Sequence, residues 1–219
     1  MNKNCKDYLF IASWLLLLLF VAANLSAQQQ RVIAECTIQY SLQADSSVTD
    51  TSLKESIQNT IKTIYIKGKM SRVDIIHPNY KQTILYEKQG NATLLREIGN
   101  TKLVTKFGVT EWKTQNSYTD DAVLTISNTT KPIKGYVCKS ANLLLKDGSS
   151  YQIYFTTSII PSVREFEYVF KDIPGFVLEY THTDKGGEKI KYTAEKINLS
   201  PVPLSTFNYD ETSYRLYQP

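Results

Sequence analysis

The sequence predicts an all-β protein with minor α content, built on a single large, curved, mostly antiparallel sheet or half-barrel with one or two short helices. The first observation is that apolar and polar residues alternate along many segments, the pattern of half-buried strands. The second is that turn-forming residues interrupt these segments at short intervals. Such short links favour antiparallel neighbours, because a parallel crossover needs about a dozen residues or more. The third is the abundance of tyrosine, 15 of 219 residues, since tyrosine is enriched in strands.

The alternation defines the strands in order. In the first, Val32, Ala34, Cys36, Ile38 and Tyr40 occupy one side. The further predicted strands are Thr63–Lys67, Met70–His77, Gln82–Lys88, Thr93–Ile98, Lys102–Phe107, Ala122–Ser127, Tyr136–Leu145, Tyr151–Thr156, Phe176–Thr181 and Ile190–Glu195.

One segment has helical spacing. Leu53, Ile57 and Ile61 recur every four residues after Asp50 or Thr51, either of which can cap a helix. The segment is short and rich in serine and threonine, so an ordered loop is the alternative.

Two further segments are less regular. Ser162–Phe170 is a second, weaker helix candidate, and Pro201, Pro203 and Pro219 indicate an extended tail laid along the sheet.

The N-terminal residues 1–27 have the layout of a secretory signal peptide. Two lysines precede an apolar run from Tyr8 to Ala23, and small residues close the segment at Ala27. The run is shorter than the roughly 20 apolar residues that span a bilayer, although retention as an anchor is the alternative. We therefore expect cleavage after Ala27, one β-rich domain over residues 28–219, and no stable transmembrane anchor after cleavage.

We expect export to place the protein in the periplasm or outside the cell. The charge pattern argues against a nucleic-acid partner. The net charge is only +4, and the basic residues are interleaved with acids, whereas a nucleic-acid protein concentrates them on one face. We expect no nucleic-acid partner, and we expect the scattered basic residues to lie on solvated strand faces and sheet edges. These residues are Lys62, Lys67, Lys69, Arg72, Lys102 and Lys106.

Two cysteines, Cys36 and Cys138, remain after removal of the predicted signal peptide. An oxidising compartment permits a disulfide between them. Two buried free thiols that behave as small apolar side chains are the alternative. Cys36 lies too far from the small residues at Ala27 for lipid attachment.

No motif names a reaction. His77 and His182 have no second histidine or cysteine nearby in sequence, so we expect no metal site, no cofactor and no catalytic residues. Glu165 and Glu167 flank Phe166 and would share a face in an extended segment; a glycosidase-like carboxylate pair is one interpretation, and a solvated strand face is the better one. The sequence predicts a protein that is not an enzyme.

Two segments carry a resemblance to a known group. They are Lys131–Ala141, which contains Gly135-Tyr136-Val137-Cys138, and Phe170–Tyr180, which contains Ile173-Pro174-Gly175 and ends in Leu178-Glu179-Tyr180. Together they resemble the paired signatures of GLPGLI-type exported bacterial proteins of unknown function, with Ile173 where the group name has leucine. The resemblance implies a distant similarity to periplasmic lipoprotein-carrier half-barrels, and it transfers no catalytic residue.

The two glycines of these segments have a physical interpretation. We expect Gly135 and Gly175 to supply tight turns through positive φ angles.

Three functional hypotheses follow. In the first, an apolar or lipid-like ligand, or a lipidated envelope protein, binds the concave face of the sheet. The second is an envelope structural or interaction protein with a solid core and no small ligand, and the third is a hydrolase. The candidate apolar ligand face consists of Ile38, Tyr40, Ile64, Ile66, Phe155, Phe176, Leu178 and Tyr180.

Overall fold

The computed structural model describes residues 30–218. Strands in which apolar and polar residues alternate form an open twelve-stranded sheet. The predicted signal peptide lies outside this range. The strands are β1 (Arg31–Ile33), β2 (Glu35–Ala44), β3 (Ile61–Lys67), β4 (Met70–His77), β5 (Tyr80–Tyr86), β6 (Ala92–Ile98), β7 (Thr101–Phe107), β8 (Val123–Ile133), β9 (Tyr136–Leu144), β10 (Ser150–Thr156), β11 (Ile159–Pro161), β12 (Phe176–Thr183), β13 (Lys189–Asn198) and β14 (Arg215–Leu216).

The sheet joins two sequential groups of strands. Its order is β14-β7-β6-β5-β4-β3-β2-β13-β12-β10-β9-β8, and every neighbouring pair is antiparallel except β14 with β7. Strands β2 and β13, far apart in sequence, pair along the middle of the sheet. Strands β1 and β11 form a separate parallel pair. The predicted fold class, a large open sheet with few helices, is confirmed.

The two helices are short. Helix α1 (Thr51–Gln58) begins after Asp50, whose carboxylate accepts from the backbone N–H of Leu53, and it buries Ile57. The helix prediction is confirmed, but its inclusion of Ile61 is wrong because Ile61 begins β3. Helix α2 (Val109–Gln115) was not predicted.

Short 3-10 turns account for the remaining helical residues. They lie at Ser117–Thr119, Glu165–Phe170, Leu204–Phe207 and Glu211–Ser213. The predicted helix over Ser162–Phe170 is therefore a shorter 3-10 segment, and non-helical angles at Glu167 interrupt it.

The C-terminal residues cross one face of the sheet, which we call the outer face. Tyr209 and Tyr214 pack against the buried cluster of Leu85, Leu95 and Val104. Beyond them, β14 extends the sheet at β7. The tail lies along the sheet as predicted, but the 3-10 turns at Leu204–Phe207 and Glu211–Ser213 interrupt its extended course. Pro219 lies outside the described residues. The tail covers apolar residues that would otherwise be exposed.

A polar network holds the start of this tail. The Arg72 guanidinium donates to both carboxylate oxygens of Asp74 and to the backbone oxygen of Thr206, at 2.7 Å. Asp74 also accepts from the Thr83 hydroxyl.

The two glycines of the signature segments have different roles. Gly135 adopts φ +82° and Lys134 φ +47° in the two-residue turn between β8 and β9, as a hairpin of the primed type requires. The positive φ predicted for Gly175 is wrong. A Cβ at Gly175 would lie 2.1 Å from the backbone oxygen of Thr156, so the position requires glycine for a close approach of two chain segments.

Candidate functional site

The eight residues of the predicted ligand face are all buried. They lie on the face opposite the tail, which we call the inner face. Six of them share one packed cluster: Ile38, Tyr40, Ile64, Ile66, Phe176 and Leu178. The remaining two, Phe155 and Tyr180, belong to a neighbouring cluster.

Residues 162–174, which we call the covering segment, lie over the inner face between β11 and β12. Phe166 packs on Phe176 with ring centroids 5.7 Å apart, and Phe170 makes an edge contact with Tyr180 at 4.9 Å. Tyr168 packs against the cluster that contains Trp112. The covering segment therefore supplies apolar side chains that complete the core.

A cavity of about 170 Å³ remains beneath the covering segment. Six of its lining residues are aromatic, four are aliphatic and three are polar or charged. They are Trp112, Tyr118, Phe166, Tyr168, Tyr180 and Tyr192; Val73, Ile75, Ile84 and Val169; and Lys62, Asn116 and Glu167. Of the eight predicted residues, Tyr180 lines this cavity, and the other seven lie in the packed clusters.

Lys62 is the buried cation of the site, with only 2% of its surface exposed. Its ammonium forms an ion pair with Glu167 and donates to the Tyr180 hydroxyl at 2.9 Å. It also lies 5.0–5.5 Å from the ring centroids of Tyr40, Tyr180 and Tyr192, within the range of cation–π attraction. The expectation that Lys62 lies on a solvated face is wrong.

The environment shifts the protonation equilibria of the site. Burial lowers the pKa of Lys62, and the neighbouring Glu167 carboxylate opposes that shift. Burial raises the pKa of Tyr180 well above its ordinary value and that of Tyr192 to about 12. Both phenols are therefore neutral at pH 7 and act as hydrogen-bonding groups.

Glu165 and Glu167 have different partners. Glu167 pairs with Lys62, whereas the carboxylate of Glu165 accepts from the backbone N–H of Arg164 at 3.1 Å. The kink at Glu167 (φ −125°, ψ 92°) interrupts the 3-10 segment. The solvated strand face predicted for the two glutamates is wrong, because neither lies in a strand and Glu167 joins the buried site.

Trp112 on α2 contributes an unused hydrogen-bond donor. Its ring packs on Phe107 with centroids 5.6 Å apart, and 7% of the residue is exposed. Its Nε1–H has no hydrogen-bond partner among the described residues. A buried donor without a partner costs free energy, and Trp112 lines the cavity.

Sequence reasoning did not select Lys62 or Trp112 for the site. A signal existed for Lys62, since period-two alternation places it on the same side of β3 as Ile64 and Ile66. Trp112 belongs to an unpredicted helix, and its place depends on the three-dimensional contact with β7.

Larger depressions lie elsewhere on the described residues, and four of them measure about 710, 460, 360 and 300 Å³. The first lies between α2 and β14, and the one of about 360 Å³ lies beside Asp120 and Asp121. None of the four is lined by a buried charged side chain. The cavity at Lys62 combines apolar walls with a few polar groups, as ligand sites do.

The two cysteines are free, buried thiols in this structure. Both belong to the inner-face cluster that contains Ile38. Burial raises the pKa of Cys36 to about 12 and that of Cys138 to about 11. Of the two alternatives that the sequence left open, the structure contains the free-thiol form.

Within residues 30–218, no helix combines the length and apolar character that crossing a membrane requires. In the same range, no group of three or more histidine, cysteine, aspartate or glutamate side chains is arranged to hold a metal ion.

Comparison with known proteins identifies a shared fold and no family. No family model and no curated protein sequence match the chain. Two crystal structures of PNGF-II are similar, with TM-scores of 0.51 and 0.50 and identities of 9% and 10%; they match 84% and 83% of this chain. This chain covers 31% and 30% of PNGF-II in those matches, so it spans about a third of that protein.

Two further structures have lower scores. An uncharacterized conserved protein from Thermus thermophilus has a TM-score of 0.48 and 7% identity, over 83% of this chain and 89% of that one. The LolA superfamily protein NE2245 from Nitrosomonas europaea has a TM-score of 0.36 and 11% identity, over 84% and 91%. Likeness at these identities concerns the fold alone, and the GLPGLI-type resemblance stays a prediction.

Proposed function

We propose that this chain is an exported binding protein, rather than an enzyme, that takes a small apolar ligand or the apolar end of a lipid-like group on the inner face of its sheet. The cavity beneath the covering segment carries the proposal. Its volume of about 170 Å³ slightly exceeds the roughly 150 Å³ of an apolar cavity that holds benzene. A lipidated envelope protein is a partner that could present such a group, in the periplasm or outside the cell.

The covering segment bears on how much of a ligand can enter. Ligand pockets usually measure about 300–1,000 Å³, which is larger than this cavity. A longer acyl chain therefore requires Phe166 or Phe170 to leave the core, whereas one ring or a short chain end does not.

Binding of propylbenzene, a small apolar probe, tests the proposal. Ile75 lines the cavity, and its neighbour Ile76 is 43% exposed; successive strand residues point to opposite faces. We expect calorimetry to show binding to the unaltered protein and to Ile76→Phe, with at least a tenfold loss in Ile75→Phe. Solvent extraction of the purified protein, followed by mass spectrometry, searches for a retained lipid. Equal affinities of the two variants, or no binding at all, would contradict the proposal.

The interaction-protein hypothesis has its own supporting observation. Strand β8 pairs with β9 on one side, and its other edge has no partner strand among residues 30–218. Val123 and Ile126 on β8 are 59% and 47% exposed. An exposed edge strand is a template for strand addition by a partner.

Capture of a partner from an envelope fraction tests this second candidate. Ile126→Lys should abolish capture and leave propylbenzene binding unchanged. Capture that is insensitive to Ile126→Lys would remove β8 as the docking edge.

A further inference from the structure

The cavity at Lys62 is lined by a residue whose buried hydrogen-bond donor has no acceptor among the described residues. An ammonium has three N–H donors, and the acceptors named for Lys62 are Glu167 and the Tyr180 hydroxyl. The Nε1–H of Trp112 is a buried donor without a partner among the described residues. An indole can only donate, so a group that satisfies Trp112 has to be an acceptor.

The charge of the site is already balanced. Lys62 and Glu167 form a buried pair, with 2% and 15% of their side chains exposed. A second carboxylate would meet Glu167 in a site with little water, where like charges repel strongly and an unpaired charge is costly. An uncharged acceptor is not repelled by Glu167 and adds no unpaired charge to the site.

A carbonyl oxygen meets these requirements. It accepts hydrogen bonds through two lone pairs and donates none, so it can satisfy the Nε1–H of Trp112. The walls of the cavity, which include Val73, Ile84 and Phe166, then contact the apolar remainder of the ligand.

We propose, building on the apolar-ligand function above, that the cavity selects an uncharged carbonyl compound of the ester or amide class over both a free carboxylate and a pure hydrocarbon. Trp112 donates to the carbonyl oxygen, and Glu167 excludes the anion by occupying Lys62. Acyl groups in ester or amide linkage to a larger molecule belong to this class, whereas free fatty acids do not.

Three probes of similar size test the selection: methyl benzoate, propylbenzene and benzoate, each titrated by calorimetry into the full protein. One or two added hydrogen bonds predict that methyl benzoate binds about tenfold more tightly than propylbenzene. We expect benzoate to bind at least tenfold more weakly than methyl benzoate.

Two variants assign the roles. Trp112→Phe keeps an aromatic ring but removes the N–H donor, so it should reduce the preference for methyl benzoate over propylbenzene at least threefold. Glu167→Gln removes the competing carboxylate, and benzoate affinity should rise at least tenfold. Thermal unfolding confirms that both variants are folded.

A spectroscopic measurement locates the hydrogen bond. The indole N–H signal of Trp112, assigned by its loss in Trp112→Phe, should move downfield with methyl benzoate and not with propylbenzene.

The outcomes separate this inference from the function on which it rests. Equal binding of methyl benzoate and propylbenzene, or tightest binding of benzoate, would overturn the inference and leave apolar-ligand binding standing. Failure of all three probes to bind would contradict the proposed function itself.

Discussion

The buried ion pair of Lys62 and Glu167 predicts a strongly non-additive response to mutation. The perturbation is a double-mutant cycle of Lys62→Met, Glu167→Leu and the two together. Removing one partner of a buried pair leaves the other charge without compensation, which costs about 3–5 kcal/mol, whereas replacing both with apolar residues is often neutral or stabilising. The two single variants should therefore be much less stable than the double variant.

The surroundings of each residue set the expected magnitudes. Glu167→Leu leaves a lysine that is 2% exposed, beside three tyrosine rings, so we expect a loss of about 3–5 kcal/mol. Lys62→Met leaves a carboxylate that is 15% exposed and retains some access to water, so we expect the lower end of that range. The double variant should lie within about 1 kcal/mol of the unaltered protein, which gives a coupling free energy of about 5 kcal/mol or more.

Urea unfolding at pH 7, followed by circular dichroism, measures these free energies of unfolding. For a domain of this size, a loss of 3 kcal/mol corresponds to a decrease in Tm of about 6–12 °C. The exposed pair Lys106–Glu211, with side chains 48% and 65% exposed, is the matched control. Its coupling free energy should be far smaller than that of the buried pair, because water and salt screen exposed charges. A double variant whose loss equals the sum of the two single losses would refute the reasoning.

Two other predictions concern thiols and backbone packing. Burial holds Cys36 and Cys138 protonated in the folded state above their ordinary pKa of 9.0. The unfolded chain then binds fewer protons, so stability falls as pH rises. Between about pH 9.5 and 11, the free energy of unfolding measured in urea should fall by about 1 kcal/mol per pH unit per thiol more in the unaltered protein than in a Cys36→Ala, Cys138→Ala variant. Equal slopes would contradict this prediction. Gly175→Ala should lower Tm by about 2–12 °C, because its Cβ meets the Thr156 backbone at 2.1 Å and overpacking costs about 1–3 kcal/mol. Gly108→Ala, whose nearest contact is 3.6 Å, should lower Tm less, and similar decreases would refute the packing argument.

The alternation of apolar and polar residues, together with the turn residues between segments, was sufficient to predict most of the strands. The strand Met70–His77 was predicted with the bounds that β4 has, because alternation and the flanking turns are properties of adjacent residues. Strand β8 was predicted to end at Ser127 but continues to Ile133. Its register shifts between Ile126 and Thr130, and it contains Pro132. Proline is tolerated there because β8 lies at the sheet edge, which a single sequence does not reveal.

The site depends on contacts that no local pattern contains. The inner-face side of Ile64 and Ile66 was predicted, but the same alternation had not been extended to Lys62. Glu167 meets Lys62 only because a kinked segment 105 residues away in sequence lies across β3. That Gly175 is needed for packing rather than for a turn also follows from a partner strand, β10.

The pairing of β2 with β13 determines when the cavity forms during folding. Strands β2–β7 contact one another through short links and can form early, since low sequence separation favours fast folding. The contacts across β2 and β13 span about 150 residues and require the chain as far as Asn198. Lys62 and Trp112 come from the first group, and Tyr180 from the second. The cavity therefore forms only when the two groups of strands have joined. A ligand that binds the cavity stabilises the complete sheet and neither group of strands alone. Resistance to proteolysis that increases with ligand would report the joining of the two groups.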